Sequence, residues 1–251
     1  MLIGLFTLLS ILLFGGGESP FEIPNARKIL KNQVVDPDNL KRANDLFDAY
    51  ETQWKVYNDV QKAQFKAFEK MIPDQTVHDA LLRNEVKANR VERVKIVELA
   101  VDARMELITF LSEDEWSGIV KEAHETVEAD RSKRIKKTKK AEEHLSKKFD
   151  ALRASVSKHL ATNKDSAIIM IDSFQNDIQI MLQKEKQRLP ELVQMMSKHD
   201  TSREKWRAAA MQYEKFRTDV AHSFIDLREG LLKWSDDKTW PKLARDLKSF
   251  Y

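Results

Sequence analysis

The 251-residue chain contains no cysteine. This absence excludes disulfides, thiolate nucleophiles, thiolate metal ligands and cysteine lipidation. Neither sign of charge dominates, since 43 Lys and Arg stand against 40 Asp and Glu and the formal net charge is +3. Such a balance argues against a dedicated nucleic-acid-binding protein. Because 42% of the residues are hydrophobic, the chain can build a core, and we do not expect it to be disordered.

Glycine and proline are also scarce. The chain has six of each, and beyond Pro37 only Gly118 and Gly230 and the prolines at 73, 190 and 241 remain. Proteins rich in β-structure need many tight turns, and these turns use glycine and proline. The composition therefore predicts an all-α protein, with long antiparallel, coiled-coil-like helices in one or two elongated bundles.

Signatures of catalysis are missing as well. The chain has no Gly-x-Ser-x-Gly elbow, and two isolated glycines cannot form a phosphate-binding loop. One of the six histidines, His124, has an acidic residue, Glu128, four residues further on, which is a helical metal-ligand spacing. The second histidine of a zinc-protease helix is absent. We therefore predict no enzyme activity, no catalytic residue, no metal, no cofactor and no small-molecule substrate.

A short apolar run opens the chain and is followed by Gly15, Gly16 and Gly17. As a helix, residues 1–17 would span roughly 25 Å, which is short for a bilayer core of about 30 Å. Three interpretations stay open: an uncleaved membrane anchor, a secretory signal peptide that lacks a basic n-region, or a buried core helix. Basic residues at 27, 28 and 31 favour a cytoplasmic body for an anchored protein. The predicted anchor residues are Leu2, Ile3, Leu5, Phe6, Leu8, Leu9, Ile11, Leu12, Leu13 and Phe14.

A heptad stripe begins after Asp36, which we predict to be the N-cap of a helix with Pro37 in its first turn. The stripe has a period of 3.5 residues and contains one polar layer, at Gln61 and Gln64. It consists of Leu40, Ala43, Phe47, Tyr50, Trp54, Tyr57, Gln61, Gln64, Phe68 and Met71. This spacing predicts packing against partner helices rather than a box of aromatic ligand contacts.

Further helices follow from apolar periodicity. Pro73 ends the first helix, and the apolar face predicted for the second consists of Val77, Leu81, Val91, Val94, Val97, Val101, Met105 and Ile108. Ser112 and Glu115 have the spacing of a capping box, which predicts the start of a third helix. Asn163 is a candidate cap, Pro190 is expected to interrupt the next helix, and residues 201–204 suggest a second capping box.

The last long helix has residues at strict intervals of seven, at 206, 213, 220, 227 and 234, and Pro241 opens a final short helix. We predict that the large aromatic side chains of the body are core or interface anchors, and sequence does not separate these two roles. They are Trp54, Tyr57, Trp116, Trp206, Tyr213, Trp234 and Trp240.

Residues 131–140 contain seven basic residues and no acidic one. They form either an exposed stretch of helix or a linker between two bundles, because like charges at i,i+4 disfavour a helix. We predict that they contact anionic lipid or phosphate groups, although a solvated face explains such runs too. The basic residues are Arg131, Lys133, Arg134, Lys136, Lys137, Lys139 and Lys140.

Five segments follow from these patterns. They are the N-terminal apolar anchor or signal peptide (1–17), a linker with a short helix (18–36), a first helical unit (37–130), the basic segment (131–140) and a second helical unit (141–251). We expect a non-catalytic, membrane-associated scaffold or assembly subunit whose helical faces bind proteins, including a second copy of the chain.

An alternative is an exported, periplasmic helical protein that acts as a chaperone or sensor after signal-peptide cleavage. Residues 111–116, Leu-Ser-Glu-Asp-Glu-Trp, resemble the Leu-Thr-x-x-Gln motif of small periplasmic stress chaperones, with Ser112 and Glu115 in place of Thr and Gln. The resemblance covers only six residues, and the capping box explains the same residues.

Overall fold

The structure is a computed structural model that describes residues 25–129 and 131–250. The described residues form helices without any strand, which confirms the all-α class. The helices are α1 (Ala26–Gln33), α2 (Pro37–Met71), α3 (Asp79–Leu107), α4 (Glu113–Ala129), α5 (Arg131–His159), α6 (Lys164–Ser197), α7 (Arg203–Lys233) and α8 (Trp240–Lys248). The apolar segment 1–17, predicted as a helical anchor or signal peptide, lies outside the described residues.

The long helices pack as a series of antiparallel neighbours. The α2–α3 hairpin lies against α7, and α7 runs antiparallel to both α3 and α6. Its register on α3 is fixed by polar contacts along the shared face, such as Arg93 with Glu214 and Arg104 with the carbonyl of Thr201. On the other side of α6 lies α5, which is joined by Arg153 and Asp172 at 2.7 Å. The short helix α8 packs on α5 and α7.

The largest apolar core lies where α5–α8 meet the corner between α2 and α3. Its centre is a group of phenylalanines, in which the ring centroid of Phe149 lies 4.8 Å from Phe250 and 5.7 Å from Phe174. Trp240 is also buried there, with 1% of its surface exposed. At ~25 cal/mol per Å² of buried apolar surface, such a core is the main stabilising contribution of this end of the protein.

Two smaller clusters lie toward the opposite end of α3. One joins α1, the start of α2, the end of α3 and the start of α4, and it includes Leu30, Ala43, Leu107 and Trp116. The other joins α3 to the start of α7 through Val97, Val101, Trp206 and Ala210.

Buried polar groups hold the corner between α2 and α3. Arg228 of α7 has no exposed surface, and its guanidinium donates to the carbonyls of Ile72 at 2.9 Å and Asp74 at 2.5 Å. The indole Nε1 of Trp240 donates to the carbonyl of Pro73 at 2.7 Å. These donors satisfy carbonyls that the end of α2 leaves without an intrahelical partner.

The helix starts agree with two of the predicted caps. Asp36 accepts from the backbone N–H of Asp38 at 2.8 Å. Glu115 accepts from the backbone of Ser112 at 2.9 Å, while the Ser112 hydroxyl accepts from the Glu115 backbone at 3.3 Å, so this capping box is confirmed. The cap of α7 is displaced by one residue from the prediction. Ser202 is the N-cap, since Thr201 is buried and its hydroxyl donates to the carbonyl of Met195.

Two further predictions are corrected. The helix expected to break at Pro190 continues as α6 from Lys164 to Ser197, so the proline removes one N–H donor without ending the helix. The face predicted for the first half of α3 is also wrong, since Leu81 and Val91 are 44% and 51% exposed. The buried face runs instead through Leu82, Val86, Asn89, Arg93 and Ile96.

Candidate functional site

A cavity of about 470 Å³ opens between α1, α2, α3, α4 and α7. Its walls are rich in aromatic side chains, and we call it the aromatic pocket. The aromatic residues that line it are Phe47, Tyr50, Trp54, Trp116 and Trp206. The aliphatic lining comes from Leu30, Leu46, Leu107, Leu111 and Ile119. This volume and this mostly apolar lining are typical of small-molecule sites.

Local structure explains why these aromatic residues meet. Phe47, Tyr50 and Trp54 follow the heptad stripe of α2 and therefore share one face of that helix. Trp116 lies in the first turn of α4, where the Ser112–Glu115 capping box fixes the entry of the helix. Trp206 lies in the first turn of α7, after its N-cap. Two helix starts thus face the middle of the α2–α3 hairpin.

Arg104 is the central charged group of the aromatic pocket. Only 7% of its surface is exposed, and its guanidinium carbon lies 4.6 Å from the ring centroid of Trp206 and 5.0 Å from that of Trp116. The guanidinium donates to the carbonyls of Lys198 at 2.9 Å and Thr201 at 3.3 Å. These contacts fix the position of the cation between two indole rings, where cation–π attraction stabilises it.

The charge of Arg104 is not neutralised by a carboxylate of the described residues. Its Nε–H is buried and has no hydrogen-bond partner in the part of the chain that the structure describes. Burial lowers the pKa of Arg104 to about 10, so the side chain is still cationic at neutral pH. The site therefore keeps one positive charge, with a donor to spare, inside an apolar and aromatic wall.

The rim of the aromatic pocket adds further charge. Arg27 and Lys28, at the start of α1, line the mouth together with Glu51 of α2. Arg27 is paired with Asp48 at 2.5 Å and with Glu51 at 2.7 Å. These two carboxylates offset the charges of Arg27 and Lys28 at the mouth, so Arg104 is the cation that makes the cavity attractive to a negatively charged group.

The predicted anchors divide between the two ends of the protein. Trp54, Trp116 and Trp206 line the aromatic pocket. Trp240 belongs to the largest core and the half-buried Trp234 packs against that core. Of the two tyrosines, Tyr57 is buried, and the side chain of Tyr213 lies outside the described part of the chain. Sequence periodicity placed these residues on inward faces but carried no sign that three tryptophans surround one cavity.

A buried polar layer crosses the interface between α2, α3 and α7. The Nε of Arg93 donates to Glu214 at 2.5 Å, and Arg217 lies 3.3 Å from the other carboxylate oxygen. Burial lowers the pKa of Arg93 and raises the pKa of the neighbouring Tyr57, because each charged form loses its hydration. Gln61, which we predicted in a polar layer, is buried and donates to Gln64 at 2.8 Å.

The buried polar residues of α3 were not predicted from the sequence. Asn89, Arg93 and Arg104 occupy inward positions of α3 at spacings of three, four or seven residues from apolar neighbours. The signal was present as a helical period that passes through polar residues. The predicted inward face of α3 followed the valines at 91, 94 and 97 instead, because these residues form a more apolar stripe.

The basic segment lies at the start of α5, so its backbone is helical where the structure describes it. Lys139 and Lys140 are exposed, and the side chains of Arg131, Lys133, Arg134, Lys136 and Lys137 lie outside the description. The predicted anchor residues between 2 and 14 are outside it as well. Among the described residues, no helix is both long and apolar enough to cross a bilayer.

One face of α2 is apolar and exposed. It carries small side chains at intervals of seven, four, three and four residues, so that all of them lie within one narrow sector of the helix. Val56 and Val60 are 63% and 40% exposed. We call this set the α2 stripe, and it consists of Ala49, Val56, Val60, Ala63 and Ala67.

Metal-binding groups are not brought together in the described ranges: no cluster of three or more His, Asp or Glu residues there could hold an ion. His124 is exposed on α4. No protein-family description, no curated protein and no solved structure matches the chain.

Proposed function

We propose that this protein is a non-catalytic assembly subunit, held at a membrane by residues 1–17 with its body in the cytoplasm, that binds protein partners through the faces of its long helices. The observation that carries the proposal is the exposed α2 stripe. Apolar residues that repeat with heptad spacing on an uncovered helix face are typical of a seam that a second helix completes.

The partner that fits best is a second copy of the chain, packed with the two α2 helices antiparallel. With the pairing centred at Val56, this valine lies opposite its own copy, and Ala49 lies opposite Ala63 of the second copy. Asp45 and Asp48 flank the N-terminal half of the stripe, and Lys66 and Lys70 flank the C-terminal half on the same side. An antiparallel pairing centred at Val56 brings Asp45 to within one residue, and Asp48 to within two residues, of the level of Lys66 in the second copy. Within the chain, Asp45 already pairs with Lys41 and Asp48 with Arg27.

The length of α2 allows an extended interface. The 35 residues of α2 extend about 52 Å at 1.5 Å per residue. Small side chains allow the two helix axes to approach closely, as they do in other tightly packed helix pairs. Contacts beyond the stripe are still needed to reach the roughly 1,200 Å² of a stable interface. The exposed Leu81 and Val91 of the adjacent α3 are available for this purpose.

Because the chain has no cysteine, single introduced cysteines test this pairing cleanly. In the full chain in native membranes, we expect Val56→Cys to form a disulfide-linked dimer on mild oxidation, because the two copies of this position lie near the symmetry axis. Ala49→Cys is the matched control on the same stripe. In an antiparallel pair its two copies are roughly 25 Å apart, far beyond disulfide reach.

Cross-linking at both positions would indicate parallel pairing, and cross-linking at neither would refute self-association through α2. The double substitution Val56→Glu with Val60→Glu provides an independent check, since burying four like charges opposes pairing. We expect this variant to sediment as a monomer while it keeps its helical circular dichroism.

The membrane tether is tested separately by the N-terminus of the protein from cells. An intact Met1 in the membrane fraction would support the anchor. Cleavage after the glycines at 15–17, with recovery outside the cytoplasm, would replace this proposal with the exported alternative.

A further inference from the structure

We propose that the aromatic pocket binds an anionic amphiphile with a single alkyl chain, such as a long-chain carboxylate, with its head group at Arg104. Ligand binding at this site is separate from self-association through α2 and does not depend on it. The sequence predicted no small-molecule substrate, and here the ligand is bound without being transformed.

The head group is indicated by the unneutralised charge of Arg104. The two carbonyls that accept from its guanidinium carry no net charge, and the buried Nε–H has no partner within the described residues. A buried donor without an acceptor destabilises the protein, and a ligand oxygen that reaches this donor would remove that cost. A carboxylate or phosphate oxygen would also neutralise the cation, which a neutral head group cannot do.

The chain of the ligand is indicated by the walls. Phe47, Trp54 and Leu107 present apolar surface from two helices, and the volume of about 470 Å³ lies within the range of roughly 300–1,000 Å³ that small ligands occupy. Arg27 and Lys28 line the cavity as well, but Arg27 is paired with Asp48 and Glu51, so the cation that is left for the head group is Arg104. An apolar and aromatic wall lies between Arg104 and the polar side chains at the mouth.

A single-chain ligand fits this order better than a purely polar anion. Inorganic phosphate would satisfy Arg104 but would leave the aromatic wall facing water. A neutral apolar molecule would cover the wall but would leave the cation buried without a counterion, which is costly at low dielectric. Only an amphiphile with one charged end meets both requirements.

The pocket tryptophans provide the readout. We would titrate the full chain, reconstituted in phosphatidylcholine nanodiscs, with 11-bromoundecanoate and with the neutral 11-bromoundecanol, whose bromine quenches nearby indoles. We expect saturable quenching by the carboxylate, with at least about tenfold weaker binding of the alcohol, because a hydrogen bond to a charged group contributes about 1.5–3 kcal/mol. Excess inorganic phosphate distinguishes the source of the charge, since it should not displace the bound carboxylate.

Two variants separate recognition from folding. Arg104→Gln should weaken carboxylate binding about tenfold and leave alcohol binding unchanged, a difference that a merely structural role would not produce. Ala103→Leu, which adds apolar volume at the cavity wall and keeps Arg104, should abolish binding of both probes without loss of helical signal.

Equal affinity for carboxylate and alcohol, displacement by inorganic phosphate alone, or unchanged binding in Ala103→Leu would each overturn the proposal. So would the absence of saturable quenching by either probe.

Discussion

The buried polar layer makes a strong prediction about stability. Arg93 and Glu214 expose 1% and 3% of their side chains and meet at 2.5 Å, while Arg217 contacts the same carboxylate at 3.3 Å. Glu214 is thus the carboxylate that both of these cations contact within the described residues. The substitution Glu214→Gln preserves the shape of the side chain but leaves two like charges in the interface. Breaking a buried pair in this way costs about 3–5 kcal/mol, a large fraction of the roughly 5–15 kcal/mol that stabilises an ordinary domain.

The substitution Arg93→Met should cost less, no more than about 2 kcal/mol. It removes one cation, fills similar volume and leaves Glu214 paired with Arg217. The asymmetry between the two members of one ion pair is the distinctive expectation, because loss of a contact alone would affect both equally. Urea unfolding of the full chain, followed by circular dichroism at 222 nm, measures the free energy of unfolding. With m near 3 kcal/mol/M, Glu214→Gln moves the midpoint down by about 1–1.7 M.

A matched control lies on the same α3–α7 interface. Glu98 accepts from Arg203 and Arg207, but its side chain is 24% exposed, so Glu98→Gln should cost about 1 kcal/mol or less. The reasoning is refuted if Glu214→Gln costs no more than Glu98→Gln, or if Arg93→Met costs more than Glu214→Gln.

Three other expectations concern different parts of the protein. Arg228→Met removes the side-chain donor to the Ile72 carbonyl and one of the two donors to the Asp74 carbonyl, and it should lower the free energy of unfolding by about 2–4 kcal/mol in the same urea assay; a loss below 1 kcal/mol would contradict the role of Arg228 at this corner. Burial, and then the charge of Arg83, lower the pKa of His222 below the ordinary histidine value of 6.5. The folded state thus binds its proton less readily than the unfolded state, and the resulting stability is present above pH 6.5 and lost as the pH falls. His222→Gln should therefore flatten the decline in stability between pH 7 and pH 5. Replacing the four lysines between 136 and 140 with glutamine should weaken sedimentation with anionic liposomes, by about 1 kcal/mol per charge, and unchanged sedimentation would favour a solvated face.

Local sequence signals predicted the helices well. The starts of α2 and α4 follow from Asp36 and from the Ser112–Glu115 capping box, since a cap needs only the few residues around it. Of the heptad positions of α7, Trp206, Val220 and Leu227 are buried. The cap of α7 was predicted one residue too early, because adjacent Thr201 and Ser202 both fit the local pattern and tertiary packing chose between them.

The inward face of α3 was not predictable from apolar periodicity. Two faces of this helix compete, one rich in valine and one that contains Asn89 and Arg93. The second face is buried because Arg93 finds a carboxylate on α7, more than one hundred residues away in the chain. A buried charge is tolerated only with such a partner, and no local pattern announces a partner on another helix.

The sequence by itself determined that this protein is a set of long helices, and it marked where several of them begin, because glycine and proline content, caps and heptad spacing act within a few residues. Only the tertiary structure decided that Trp54, Trp116 and Trp206 surround one cavity with Arg104 at its centre. Five separate helices form that site, and its existence depends on the register and packing of α1, α2, α3, α4 and α7. Those quantities are set by the balance of contacts over the whole chain and not by any one segment.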